Sequence, residues 1–89
     1  MLIDVTQVKH FEKKKLEISF ADGLVGIVDV DAIVDCYDGI FEPLKNESYF
    51  AQVYVNKELG TIVWPNGADL CPDVLYAHAS GKADKFPKI

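Results

Sequence analysis

Two apolar runs joined by an Asp-Gly pair at positions 22 and 23 constrain the fold of this chain more than any other feature. The first run, "LEISF" (16–20), alternates apolar and polar residues, and "LVGIVDV" follows directly after "ADG". Alternation of this kind is typical of a half-buried strand. Asp-Gly tolerates the positive φ angles of a tight primed turn. The pattern therefore predicts a β-hairpin over residues 15–30.

Further strands are indicated on both sides of this hairpin. "IDVTQVKHF", Ile3 to Phe11, alternates loosely and predicts a first strand. A second hairpin is expected from the strands Val53 to Val55 and Thr61 to Trp64, joined through Asn56 to Gly60. Pro65 ends the last of these strands because proline has no N–H to donate to a ladder.

Capping residues mark the predicted helices. Asp31 is expected to cap a short helix that Gly39 stops, and Asn46 is expected to cap the next one. Asp69 is expected to cap the last helix, with Pro72 in its first turn, where a missing N–H is harmless. The change from period 2 to helical spacing places these helices after the strands.

The order of these elements predicts an α+β fold. We expect a small antiparallel sheet of four to five strands, built from two hairpins, with one or two short helices packed on one face. Residues 1–80 are expected to form a single domain, and residues 81–89 a polar C-terminal tail. At 89 residues we expect no second domain.

Composition points to a packed protein of the cytoplasm. The hydrophobic fraction of 49% is ordinary for a globular chain. No apolar run approaches the roughly 18 residues that span a bilayer, and the N-terminus lacks the features of a signal peptide. Cys36 and Cys71 are too few for a disulfide framework, so free thiols in a reducing compartment are expected. These features predict a cytoplasmic protein without a membrane partner.

The charge distribution argues against direct binding to nucleic acid. The formal net charge is −5, and residues 1–45 hold nine acids and five lysines. The chain has no arginine, the residue best suited to bidentate contacts with bases and phosphates. An acidic chain of this kind is better suited to a basic protein partner.

An acidic run in the first half raises the question of a metal site. It contains no basic residue, and its acids are Asp29, Asp31, Asp35, Asp38 and Glu42. A calcium loop starting at Asp29 would need an oxygen ligand and then glycine where this chain has Ile33 and Val34. Capping and a favourable position in the first helical turn explain Asp31 and Asp35 without a cation, so we interpret the run as a solvated acidic face and predict no metal.

The two candidate nucleophiles have no base at a suitable spacing. Cys71 lies near a predicted helix N-terminus, where the helix dipole lowers the pKa of a thiol. His78 follows seven residues later, which is about 10 Å along a helix and too far for a thiolate dyad. The cysteine and histidine spacings do not fit zinc either. We predict no catalytic residues and no cofactor.

The segment "IVWPNGADLCPDVLYAHA" (62–79) gathers many of the rarer residues in one place. Each polar residue has a structural use as turn, cap or helix start, and Trp64 and Tyr76 could pack across the corner as core aromatics. Together these residues predict a rigid corner flanked by aromatic rings. Such a corner suits the docking of a partner. The candidate binding surface is Trp64, Asn66, Asp69, Asp73 and Tyr76. The alternative is a small-ligand or enzymatic site built from the same residues around a pocket beside Trp64.

The order of several motifs resembles a known family. "SFADG" and "VDV" are followed by "GIFEPL", "YFAQVYV" and "GTIVWPNGADLCPDVLY". This series is similar to the bacterial and phage-borne family catalogued as domain of unknown function 2442, of the type found as the N-terminal domain of NE-type hypothetical proteins. The resemblance covers residues 5–77. It implies a small α+β domain, and it carries over no catalytic residues.

The resemblance also implies two kinds of association. Some members are followed by a helix-turn-helix DNA-binding domain, which leaves the role of an accessory domain of a transcriptional regulator as an alternative. Others are encoded beside a small partner in a toxin-antitoxin-type arrangement. We therefore expect a non-enzymatic interaction domain, antitoxin-like, whose partner is the product of the adjacent gene. A homodimer formed through a sheet edge is a further option.

Overall fold

Five antiparallel strands and two α-helices make up the part of the chain that the computed structural model describes, residues 3–81. In chain order the elements are β1 (Val5–Glu12), β2 (Lys15–Phe20), β3 (Val25–Asp29), a 3₁₀ helix (Val30–Ala32), a second 3₁₀ helix (Gly39–Lys45), α1 (Glu47–Phe50), β4 (Tyr54–Asn56), β5 (Thr61–Val63) and α2 (Pro72–Ala79). The predicted α+β class is confirmed. The strands form two sheets, β1-β2-β3 and β4-β5, where a single sheet was expected.

The predicted hairpin over residues 15–30 is present as β2 and β3. Leu16 pairs with Val28, and Ile18 pairs with Gly26. The turn is wider than the two-residue primed turn that was expected, because Phe20 N–H donates to the carbonyl of Leu24 around a three-residue loop. Within this loop only Gly23 has positive φ, at 96°. The Asp22 carboxylate accepts the Leu24 amide at 3.0 Å and fixes the loop.

β1 and β2 are also joined as a hairpin. The connection is the two-residue turn Lys13 and Lys14, with Glu12 paired to Lys15. Lys13 has φ of 46°, a left-handed conformation that glycine usually occupies. The ring Nε2 of His10 lies 2.9 Å from the Lys13 carbonyl and ties the turn to β1. The predicted strand Ile3 to Phe11 is thus present with bounds shifted to Val5–Glu12.

The second predicted hairpin is also present, as β4 and β5. Tyr54 pairs with Val63 and Asn56 with Thr61. The Asn56 side chain accepts the amides of Glu58 and Leu59 and shapes the loop between the strands. This loop also joins the two sheets, because the Val5 amide donates to the Gly60 carbonyl at 2.9 Å.

The capping pattern between β3 and β4 differs in part from the prediction. Asp29 and not Asp31 caps the first 3₁₀ helix, because the Asp29 carboxylate accepts the Asp31 amide at 3.0 Å. Gly39 begins the second 3₁₀ helix, with φ of 56°, and does not stop a helix. Asn46 caps α1 as predicted, since its side chain accepts the two amides that follow in the first turn.

The last helix, α2, begins later than predicted. Cys71 occupies its N-cap position without a side-chain cap bond. Asp69 is not the cap, because it pairs with Val63 in an isolated antiparallel bridge that keeps the chain extended. Pro72, whose fixed φ suits a first helical position, starts the helix, and Ser80 ends it by donating its amide to the Tyr76 carbonyl. Of the predicted tail 81–89, only Gly81 belongs to the described residues.

The core lies between the inner face of β1-β2-β3, the β4-β5 sheet and α2. Among its fully buried side chains the largest are Trp64, Phe50, Leu16, Ile18, Ile33, Leu44, Ile62 and Leu75. Alternate residues of β2 point into this cluster, which is why the period-2 pattern of "LEISF" identified the strand. No helix within residues 3–81 combines the length and the apolar content needed to cross a bilayer.

A buried threonine gives a first testable prediction. Thr61 is 3% exposed, and its hydroxyl donates to the Leu70 carbonyl at 2.6 Å. Thr61→Val keeps the shape but removes the donor, so the free energy of unfolding should fall by about 1–2 kcal/mol. Urea denaturation measures this value. Thr6→Val is the matched control, since Thr6 makes a longer bond, 3.2 Å, at an exposed position. Equal effects of the two substitutions would contradict the prediction.

Candidate interaction surface

The structure places Trp64, which the sequence offers both as a core aromatic and as part of the candidate binding surface, inside the core. Its side chain is fully buried, with an exposed fraction of 0%. The indole N–H donates to the Phe50 carbonyl at 2.9 Å, and the two rings pack with centroids 5.5 Å apart. Trp64 therefore shapes the corner from inside and offers no atoms to a partner.

Asn66 forms the turn of the corner and anchors it to the rest of the fold. Its side-chain oxygen accepts the Ala68 amide at 3.1 Å, and its side-chain N–H₂ group donates to the Ile40 carbonyl at 2.8 Å. Gly67 supports the turn with φ of 91°. Both ends of the Asn66 amide are thus used to hold the corner against the second 3₁₀ helix.

The two predicted carboxylates lie on either side of the start of α2. Asp69 is exposed and sits in the bridge with Val63. Asp73 is half-buried in the first turn of α2, where a negative charge is favourable to the helix dipole. Both residues therefore have structural roles that differ from each other.

Tyr76 makes its contacts at the loop between β2 and β3. Its ring packs edge to face on Phe20 at 5.0 Å, and its hydroxyl donates to the Asp22 carboxylate at 2.5 Å. This bond, followed by the Leu24 amide, lowers the pKa of Asp22. The same bond raises the pKa of Tyr76. The bonds of the predicted surface residues therefore lead to separate parts of the fold and do not converge on one site.

The bond between Tyr76 and Asp22 gives a pH-dependent prediction. In Tyr76→Phe the pKa of Asp22 should rise toward its ordinary value. Because the folded-state pKa of Asp22 is lowered, the bond stabilises the wild type above the ordinary carboxyl pKa, and this advantage disappears as the pH falls through the lowered value. At alkaline pH the advantage disappears as Tyr76 ionises.

Carbon-13 NMR titration of the Asp22 carboxyl checks the predicted change in its pKa. An unchanged Asp22 pKa would contradict it, and Tyr54→Phe serves as the control.

Two pockets of the structure lie away from the corner. A pocket of about 500 Å³ opens between the β1-β2-β3 sheet and β4. Its lining is Gln7, Val8, Lys9, Glu17, Ser19, Val53, Tyr54 and Val55. A second pocket, of about 380 Å³, continues along the same seam. None of the predicted corner residues lines either pocket.

The remaining reactive groups are dispersed. Cys36 and Cys71 are both free and exposed. Burial lowers the pKa of His78, and Asp29 acts in the opposite direction. Within residues 3–81 no group of three or more His, Cys, Asp or Glu side chains is arranged to hold a metal ion.

The predicted acidic face is an exposed surface. All five of its carboxylates, from Asp29 to Glu42, are solvent-exposed. Inside this segment the Tyr37 hydroxyl donates to Asp31 at 2.6 Å. Burial, and then this bond, raise the pKa of Tyr37. The segment is therefore locally ordered while its charges face solvent.

An apolar surface that the sequence reasoning missed directly precedes this acidic segment in the chain. Val25 and Ile27, on the outer face of β3, are 55% and 44% exposed. The available signal was the run "LVGIVDV", in which both faces of the strand carry apolar residues although only one face is needed for the core. We call Val25, Ile27 and the acids of residues 29–42 the β3 surface.

Comparison with known proteins places the chain in a family. The family model described as "Protein of unknown function (DUF2442)" matches residues 5–81. The chain belongs to this family. The family match spans every strand and helix described above, so the β3 surface and the corner both lie inside the DUF2442 domain. No curated protein and no solved structure matches the chain.

Proposed function

We propose that this DUF2442 domain is a non-enzymatic protein-interaction module that binds a more basic partner protein. The observation that carries the proposal is the β3 surface, where exposed Val25 and Ile27 are followed along the chain by five exposed carboxylates. No basic residue occurs within residues 29–42, and Lys15 of β2 pairs with Asp29 across the sheet. Exposed apolar side chains beside charge of one sign are features of binding surfaces. The charge selects a partner rich in lysine or arginine.

The bonding at the corner supports recognition over catalysis. Asn66 and Tyr76, which an enzymatic site there would use, are engaged in bonds that hold the turn and α2 in place. Trp64 is buried, so it provides no wall for a ligand. The corner is a rigid support for the fold, and the surface open to a partner lies at β3.

The family resemblance suggests which partner to test. Members encoded beside a small second protein make the product of the adjacent gene the first choice, with this chain in the antitoxin-like role. That arrangement requires a stable complex in which the partner's activity is suppressed. A basic partner would also gain affinity from the net charge of −5.

Co-expression tests this proposal. The full chain, carrying an affinity tag, should co-purify with the product of the adjacent gene, and co-expression should restore the growth of cells that the partner alone inhibits. The complex should persist at micromolar concentrations. A partner that neither co-purifies nor has its effect on growth relieved would overturn the proposal.

A further inference from the structure

β3 lies at an edge of its sheet, with one side of its backbone unpaired by any strand within residues 3–81. The strand order is β1-β2-β3, and β3 pairs only with β2 in this part of the chain. The Val30 N–H donates to the Lys14 carbonyl, and the Phe20 N–H donates to the Leu24 carbonyl. Hydrogen-bonded pairs alternate along an antiparallel ladder. The N–H and C=O groups of the odd-numbered residues 25, 27 and 29 therefore point away from β2.

The side chains of β3 leave this edge unusually open. Natural edge strands are commonly protected by charged side chains, especially lysine, by proline or by a β-bulge. β3 contains no lysine and no proline, and its register with β2 is continuous from Val25 to Asp29. On the outer face of β3, Val25 and Ile27 are apolar and about half exposed. The charged residue of the strand, Asp29, lies at its end.

Charges at both ends of the edge decide what kind of strand it fits. Asp22 lies in the loop before β3, and the exposed Asp29 and Asp31 follow at its other end, where Lys15 of β2 pairs with Asp29 on the side away from the edge. A second copy pairing antiparallel about Ile27 would place Asp22 of each copy beside the Asp31 region of the other. Opposed like charges destabilise such pairs, and each copy carries −5 overall. A basic strand meets opposite charge at both ends.

We propose that the edge of β3 captures an extended, lysine- or arginine-bearing segment of the partner protein as a fourth strand of the β1-β2-β3 sheet. Backbone hydrogen bonds to residues 25, 27 and 29 provide the attachment, as in other cases of strand addition. An apolar side chain of the guest packs beside Ile27, and its basic side chains reach Asp29, Asp31 and Asp22. This mode of binding rests on the proposed function and specifies where and how the partner attaches.

Amide hydrogen exchange of the full chain, read by NMR, tests the mode directly. Two probes are used: the product of the adjacent gene, and a capped octapeptide of alternating valine and lysine. A valine and glutamate octapeptide of equal length is the control. Binding should slow exchange of the outward amides of Val25, Ile27 and Asp29 by about tenfold or more. The glutamate peptide should leave these amides unchanged.

Substitutions at Ile27 separate the backbone from the side chain. Ile27→Pro removes an outward N–H that the β2 ladder does not use, and an edge strand tolerates proline at such a position. Ile27→Thr keeps the N–H and the β-branched shape. The proline variant should weaken binding by about tenfold or more and the threonine variant clearly less. Leu59→Thr, at an exposed site in the β4-β5 loop, should change nothing. The exchange experiment stands independently if Ile27→Pro does not fold.

The outcomes distinguish this inference from the proposed function. A complex with the neighbouring product that protects the β3 amides supports both. A complex that leaves these amides unprotected overturns strand addition and leaves the function standing. If the valine-lysine peptide protects the β3 amides but the product of the adjacent gene does not bind, strand addition at the β3 edge is supported and the choice of partner is overturned. No binding of either probe overturns both proposals.

Discussion

Trp64→Ala should lower the free energy of unfolding by about 3–5 kcal/mol. The side chain is fully buried and packs on Phe50 at a centroid distance of 5.5 Å. Its removal leaves a cavity in the middle of the core and takes the N–H donor from the Phe50 carbonyl. A domain of this size has a stability of about 5–15 kcal/mol, so this one change removes a large share of it.

Trp64→Phe separates the two contributions of the indole. The variant retains most of the aromatic packing but loses the hydrogen bond. Its free energy of unfolding should therefore lie between those of the wild type and the alanine variant. Urea denaturation followed by far-UV circular dichroism measures the free energy of unfolding of both variants. Fluorescence is unsuitable because both substitutions remove the only tryptophan of the chain. Tyr54→Ala, a change at a residue that is 46% exposed, should shift the stability by about 0.5 kcal/mol or less. A Trp64→Ala protein within 1 kcal/mol of the wild type would contradict the buried placement.

Gly26→Ala should destabilise the protein by about 1–3 kcal/mol, and Gly26→Val should do so by more. A Cβ atom at Gly26 would lie 2.6 Å from the Ala79 carbonyl oxygen and 2.9 Å from the Ala79 Cβ. The clash is with helix backbone, so α2 would have to move away from β3.

Whether Gly26→Ala raises or lowers the free energy of unfolding tests the close contact between α2 and β3. Glycine in a strand interior normally lowers stability, and replacing it with alanine would usually raise the free energy of unfolding by about 0.5–1 kcal/mol. Val25→Ala, on the neighbouring outward position, is the matched control and should have a small effect. Equal or greater stability of Gly26→Ala in urea denaturation would show that α2 does not press on β3 at this point.

The elements that the sequence predicted well are those in which local chemistry and packing agree. The hairpin over residues 15–30 combines an Asp-Gly turn with a strand whose alternate residues enter the core, and both signals point to one structure. Asn46 caps α1 for the same reason, because its side chain satisfies the nearest amides regardless of the surroundings.

The misplaced features depended on contacts distant in sequence. Asp69 looks like a helix cap until its bridge to Val63 is known, and nothing in its own neighbourhood encodes that pairing. Trp64 is predicted both as a core aromatic that packs across the corner and as part of the candidate binding surface, and the sequence alone does not decide between the two. The burial of Trp64 follows from α1, whose Phe50 receives its N–H. The exposed apolar face of β3 could have been suspected from the strand's two apolar faces, but exposure is decided by which face the rest of the chain covers.

The central inference, that this DUF2442 domain recognises a basic partner through the β3 surface, is tested most directly by its affinity for the product of the adjacent gene. Two triple variants with the same change of net charge should be compared by isothermal titration calorimetry. One neutralises the β3 surface with Asp31→Asn, Asp38→Asn and Glu42→Gln. The other neutralises exposed acids elsewhere with Glu47→Gln, Glu58→Gln and Asp69→Asn. We predict a complex that the first variant weakens about tenfold or more and the second much less. Equal weakening by both variants, or no complex with the wild type, would contradict recognition of a basic partner through the β3 surface.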